Sequence, residues 1–156
     1  MNIFYKDNEQ MFKKQYLCEQ MFRKNLYWKD METKIRNCET RQFKVVFPNT
    51  LNTNDTLFGG EAMKWMDEVA FITATRFTKQ KVCTVNTERI NFLKTIYPNS
   101  IVEVVGQVIS FDLVRLTIKV EVFAERMYSN ENHKCIEGNF VFAAIDSKNR
   151  PIRLDL

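Results

Sequence analysis

The sequence predicts an α+β fold, an antiparallel sheet wrapped around one long central helix. Three observations predict it. A single segment, GGEAMKWMDEVAFITATRF from residue 59, is apolar round most of a helical circumference. LVRLTIKVEVFA alternates apolar and polar side chains at strand period, and the elements run strand, helix, then four strands. A sheet that wraps the helix buries both apolar surfaces at once.

Residues 1–38 are rich in Lys, Glu, Gln and Asn, with Phe12, Tyr16, Phe22 and Leu26 at loosely helical spacing. They read as an N-terminal extension to a single domain over 39–156. Met31 opens METKIRNCETR and reads as an alternative start that would leave residues 1–30 outside the native product. The run FKVVF predicts a short strand ending before Pro48. The polar stretch NTLNTNDT follows, and its residues favour turns and helix caps. In the helix beyond it, Glu61, Lys64, Glu68 and Thr75 fall on one narrow arc at about 100° per residue, so protein is expected on most other sides. Four strands then follow as VCTVNTERINFL, IVEVVGQVISF, LVRLTIKVEVFA and KCIEGNFVFAAI. KTIYPNS, a tight turn near Asp112 and ERMYSNENH separate them. In the third, Val114, Leu116, Ile118, Val120 and Val122 form the buried face.

The composition excludes several function classes. At 45% hydrophobic and 27% charged residues the chain is an ordinary folded protein. No apolar run approaches the roughly 18 residues of a membrane span, and the first residues have no secretory h-region, so no membrane association and a cytoplasmic location are expected. A net charge of +4 is spread along the chain, which argues against nucleic acid and suits a phosphorylated small molecule. Cys18, Cys38, Cys83 and Cys135 form no C-x-x-C pair, and they read as free thiols with no metal site.

Asp67 is the most informative residue, because a carboxylate on a mostly buried helix is costly to desolvate. It projects about 90° from the polar arc, into a sector shared with Gly60, Met63, Phe71 and Ala74. On position alone, a paired or solvated helix-edge carboxylate is the simpler reading. The second feature is FGG at 58–60, where glycines permit close approach and the first helical N–H groups lack intrahelical acceptors. That geometry suits an oxyanion, although two glycines also simply relieve crowding at a helix start.

The run FPNTLNTNDTLFGGEAMKWMDEVA, followed by VNTERINFLKTIYPNSIVEVVGQV, VEVFAE and FVFAAID, resembles the hotdog-fold acyl-CoA thioesterases over residues 42–153. The resemblance implies a homodimer with one continuous sheet and active sites between subunits, often assembled further as a trimer of dimers. It implies an acyl-CoA substrate, no cofactor beyond the CoA of that substrate, and Asp67 as general base or as nucleophile. It also implies Asn52 as a positioning group from the opposite subunit, and the Gly59 and Gly60 amides as the carbonyl-polarising donors. Arg89, Lys94 and Arg115 are the candidates for the CoA phosphates, each otherwise a solvated surface charge.

Two departures stand out. Relatives carry a Gly-Arg-Thr-Ser-like turn where this chain has Asp112, Leu113, Val114 and Arg115, and a glycine where it has Asp55, which reads either as a helix cap or as an altered loop. His133, the sole histidine, lies in the polar loop SNENHK and reads as a surface residue, unlike the active-site histidine of hotdog dehydratases. A non-catalytic CoA-ester-binding module is the rival function. Met63, Trp65 and Phe71 are the bulky groups expected to set acyl-chain length.

Overall fold

The structure, a computed structural model, describes residues 4–156, with side chains described at 20, 21 and 23–156. The side chains of Phe12, Tyr16, Cys18 and Phe22 lie outside the described residues. The chain divides into two compact units, Met1–Arg36 and Asn37–Leu156. Helix α1 (Phe4–Cys38) makes up the first and runs into the start of the second. Within α1, Tyr27 and Trp28 meet edge to face at 5.9 Å between ring centroids.

The second unit carries β1 (Thr40–Val45), α2 (Gly59–Thr78), β2 (Val82–Phe92), β3 (Ser100–Phe111), β4 (Arg115–Arg126) and β5 (Asn132–Ala144). The sheet runs β1-β3-β4-β5-β2, and every neighbouring pair is antiparallel. Hairpins β3–β4 and β4–β5 form its centre, joined by short turns that antiparallel pairing permits. β1 and β2 close opposite edges, so α2, which joins them in sequence, crosses the sheet between those edges. The first strand begins earlier than the FKVVF run suggests, because Arg41 and Gln42 pair with Val105 and Val104 through their backbones, whatever their side chains.

The core lies between α2 and the inner face of the sheet. Met66, Val69, Ala70, Ala74 and Phe77 of α2 are fully buried, as are Val102, Val104, Ile118, Val120, Phe140 and Phe142 of the strands. Gly106 sets the distance of closest approach. A Cβ there would meet Thr73 Oγ1 at 2.7 Å and Val69 Cγ1 at 2.9 Å, so helix and sheet touch backbone to side chain at this point. The outer face is charged and internally paired: Arg41 binds Glu39 and Glu103 at 2.7 Å each, and Lys134 binds Glu137 at 2.7 Å and Glu121 at 3.2 Å.

β2 is an edge strand bonded only to β5, with register shifts between Thr84 and Asn86 and between Glu88 and Asn91. Most of its residues are exposed. Such bulges and charges are common devices at a free edge.

Candidate active site

The loop before α2 is built around Asn52. Its Oδ1 accepts from the N–H of Asn54 at 2.9 Å and of Thr56 at 3.2 Å, and its Nδ2 donates to Thr56 Oγ1 at 2.9 Å. A Leu51–Leu57 bridge and the bonds from Phe58 N to Thr50 O and from Leu57 N to Ile96 O fasten both ends. Much of the hydrogen-bonding capacity of Asn52 is therefore spent on its own loop, leaving one Nδ2 hydrogen for another group. Asp55 does not cap the helix: it takes a left-handed conformation (φ 56°), its N–H donates to Asn52 O, and the N-cap is Phe58 with no side-chain bond.

At the helix start, the N–H groups of Glu61 and Ala62 both reach Phe58 O. Among the described residues, those of Gly59 and Gly60 have no backbone acceptor. The Phe58 ring folds back over Gly60 and would collide with any Cβ there, and the Phe92 ring lies 3.5 Å from where a Gly59 Cβ would stand. Beside them opens a cavity of about 350 Å³ walled by Asn52, Leu57, Gly59, Phe92, Lys94 and Ile136. Two unsatisfied amides at the positive end of a helix dipole, that of Gly59 on the wall of a partly apolar cavity, suit a carbonyl that acquires negative charge.

Asp67 lies elsewhere. It stands about 10 Å further along the axis by helical rise and is not among the residues lining that cavity. Thr84 of β2 donates a long hydrogen bond to Asp67 Oδ1, 3.4 Å. The sequence implied a carboxylate on a mostly enclosed helix, whereas in the single chain Asp67 is exposed on a strip with Lys64, Glu68 and Phe71, the last 46% exposed. Ala74 from the same predicted sector is buried, as is Trp65, whose Nε1 donates to Glu61. The difference has a simple cause: five strands do not curl far enough to cover the helix on the side of the free β2 edge.

Of the three cations proposed for phosphate, Lys94 lines the cavity. Arg89 is exposed at positive φ in the second irregular stretch of β2, and Arg115 is exposed at the start of β4. The turn before Arg115 is closed by Asp112, whose Oδ1 accepts from Val114 N at 2.7 Å and Arg115 N at 2.8 Å. Those bonds hold its carboxyl below the usual aspartate range, and they leave neither amide for a phosphate. His133 is exposed, and no cluster of His, Cys, Asp or Glu able to hold a metal occurs among the described residues. No described helix is long and apolar enough to cross a membrane. Sequence reasoning missed Thr84: nothing in its spacing distinguishes it from other strand threonines, and only the packing of β2 against α2 brings it to Asp67.

The model of the thioesterase superfamily matches residues 54–129. An uncharacterised acyl-CoA thioester hydrolase of Buchnera aphidicola subsp. Acyrthosiphon pisum is 31% identical over 110 residues, 69% of this chain and 82% of the relative. The chain belongs to the acyl-CoA thioester hydrolases. Another member of that family, an uncharacterised acyl-CoA thioester hydrolase of Bacillus subtilis, is 29% identical over 107 residues; the match takes in 69% of this chain and 62% of the relative's length. The acyl-CoA hydrolase of Staphylococcus aureus, solved with butyryl coenzyme A, coenzyme A and coenzyme A disulfide, matches with a TM-score of 0.73 at 26% identity. That match covers 77% of this chain and 73% of the other. Variants of the Staphylococcus enzyme with alanine replacing an asparagine, an aspartate and a threonine have also been solved and match similarly. A hexameric broad-specificity acyl-coenzyme A thioesterase, solved as an aspartate-to-alanine variant, matches with a TM-score of 0.69 at 28% identity over 73% of this chain and 84% of its own. These neighbours share with this hydrolase the hotdog arrangement of sheet and helix.

Proposed function

We propose that this family member is a cytoplasmic acyl-CoA thioesterase that hydrolyses acyl-CoA to a free carboxylic acid and CoA, needs no other cofactor, and works as a homodimer. The observation that carries the reading is the unsatisfied Gly59 amide opening on a cavity, with the free Gly60 amide next to it in the chain. The acid arrangement supports it. Asn52 precedes Asp67 by 15 residues and Thr84 follows it by 17, the same intervals that separate the asparagine, aspartate and threonine replaced in the Staphylococcus enzyme.

In this reading the thioester carbonyl points at the two glycine amides. Asp67 removes a proton from water as the oxygen adds to the carbonyl carbon. The oxyanion collapses, the C–S bond breaks, and the CoA sulfur leaves with a proton. Alternatively the carboxylate itself adds, expels CoA and forms an anhydride that water opens. Label recovered in Asp67 after a single turnover in ¹⁸O-water identifies direct attack, with water opening the anhydride at the aspartyl carbon. Thr84 orients the carboxylate, and Asn52 acts chiefly by shaping the loop.

The distance from Asp67 to the amides of its own helix favours a site completed by a second copy. The free β2 edge, with Val85 45% exposed, together with the exposed Phe71 of α2, is the surface through which the sheets would join. Three such dimers would make six subunits, the number in the hexameric broad-specificity relative.

Thiol release over a panel of short to long acyl-CoA esters tests the activity. Asp67→Asn is expected to lower kcat about 10³-fold at unchanged melting temperature. A fully active Asp67→Asn protein would sink the assignment, and tight CoA binding with no turnover of any ester would make the protein a binding module.

A further inference from the structure

The walls of the Gly59 cavity divide by chemistry. Asn52, Thr56 and Lys94 are polar, whereas Ala62, Phe92 and Ile136 are apolar. The apolar wall continues past the cavity along β5. Ile136 pairs with Phe92 of β2 on one side and with the buried Val122 of β4 on the other. The next inward position of β5 is Gly138, itself buried and paired with the buried Val120. A glycine there leaves the sheet without a side chain at the place where an apolar tail leaving the cavity would run.

A local device in β2 fills that gap. Glu88 pairs with Asn139 and Asn91 with Glu137, so Arg89 and Ile90 together stand opposite the single residue Gly138. This is a bulge, and Arg89 takes a left-handed conformation in it (φ 54°). A non-glycine residue in that region is uncommon, and a bulge re-aims the side chains beside it. Arg89 and Asn91 are exposed, but Ile90 between them is half-buried. Its Cδ1 occupies the space that a Cβ on Gly138 would take, and its Cα would lie 3.4 Å from that Cβ. Met63, Trp65 and Phe71, the bulky groups expected from the sequence to set acyl-chain length, do not line the cavity.

We propose that Ile90, seated on Gly138, is the stop that limits the acyl chain, and that the protein prefers short acyl esters. The assignment rests on the thioesterase reading. With the thioester carbonyl at the Gly59 amide, the acyl chain passes Phe92 and Ile136 and meets Ile90 two residues further along β5. That step is about 6.6 Å, the length of roughly five carbons of an extended chain. Butanoyl and hexanoyl groups end before the stop, and a dodecanoyl group runs into it.

The test compares Ile90→Ala, and the milder Ile90→Val that removes only Cδ1, with the starting protein on butanoyl-, hexanoyl- and dodecanoyl-CoA. The starting protein is expected to favour the two short esters. In Ile90→Ala the ratio of kcat/KM for dodecanoyl-CoA to that for butanoyl-CoA is expected to rise about 10-fold, with a smaller rise in Ile90→Val. Adding Gly138→Ala to Ile90→Ala puts a methyl group back into the gap and should return the ratio toward its starting value. A starting preference for dodecanoyl-CoA, a ratio unchanged in both residue-90 variants, or a double variant that keeps the whole gain would each overturn the proposal. Calorimetric titration with S-butyl-CoA and S-dodecyl-CoA, thioethers that water cannot cleave at the acyl position, separates this failure from that of the thioesterase reading. A protein that turns over nothing, yet binds S-dodecyl-CoA about 10-fold more tightly relative to S-butyl-CoA once Ile90 is alanine, loses the activity and keeps the stop. A protein that hydrolyses acyl-CoA with a chain-length profile indifferent to residue 90 does the reverse.

Discussion

The first turn of α2 and the stretch two turns further on belong to one helix yet present opposite surfaces. At the first turn, the chain's own loop, β2 and β5 close a cavity around the Gly59 amide, and the hydrogen bonds of the loop are satisfied locally. Around Asp67 and Phe71 the helix is bare, flanked by an edge strand bonded on one side only. In the proposed reading, the contrast divides the site into two complementary halves on each chain: an oxyanion pocket at the helix start, and a carboxylate left exposed for a neighbour.

The most severe way to break the comparison is Phe71→Glu, which puts a charge on the bare strip. We expect dissociation to monomers in sedimentation and a loss of activity of about 100-fold or more at equal protein concentration; an active monomer would contradict the shared site. Mixing is sharper still. If the half-sites meet across subunits, a co-refolded mixture of Asp67→Asn and Gly60→Val proteins, each inactive, recovers about a quarter of the normal rate, because half the dimers are mixed and each of those has one intact site. No recovery, with mixed dimers verified by mass spectrometry, would place both halves in one chain.

Asn52→Ala tests the cavity end alone. Loss of the Asn54 and Thr56 bonds should cost about 1–2 kcal/mol of stability by denaturant melts, together with a fall in kcat, whereas a purely catalytic Asn52 would leave stability untouched. Thr84→Val tests the other end, with an expected drop in kcat of about 10-fold and little change in KM. The smallest effect falls outside both. Asp112 has a folded pKa below its ordinary value, so its contribution to stability is full above the usual aspartate pKa of about 3.9 and disappears as pH falls through the lowered folded value. Asp112→Asn should therefore flatten the acid limb of the melting temperature below about pH 4 and leave it unchanged in shape at neutral pH.

Much of the site was legible as residue types. FGG at a helix start announces free amides wherever it occurs, because the first N–H groups of any helix lack partners. Asp67 stands out because carboxylates seldom occupy apolar helices. Thr84 was not legible: its hydrogen bond to Asp67 comes from β2 returning beside α2, and strand alternation carries no trace of that. Ile90 and Gly138 are 48 positions apart and meet only because β2 and β5 pair as neighbours.

By itself the sequence determined the strands and central helix of residues 39–156, their order and the sheet-round-helix class, since periodicity and glycine placement are local properties that the backbone reads directly; helix α1 (Phe4–Cys38) it gave only as an extension. The tertiary structure alone decided the strand order, which edge stays free, and on which side of α2 the covering stops. Those depend on register and on close approach, such as Gly106 beneath Val69 and Thr73, where contacts between distant residues set the geometry.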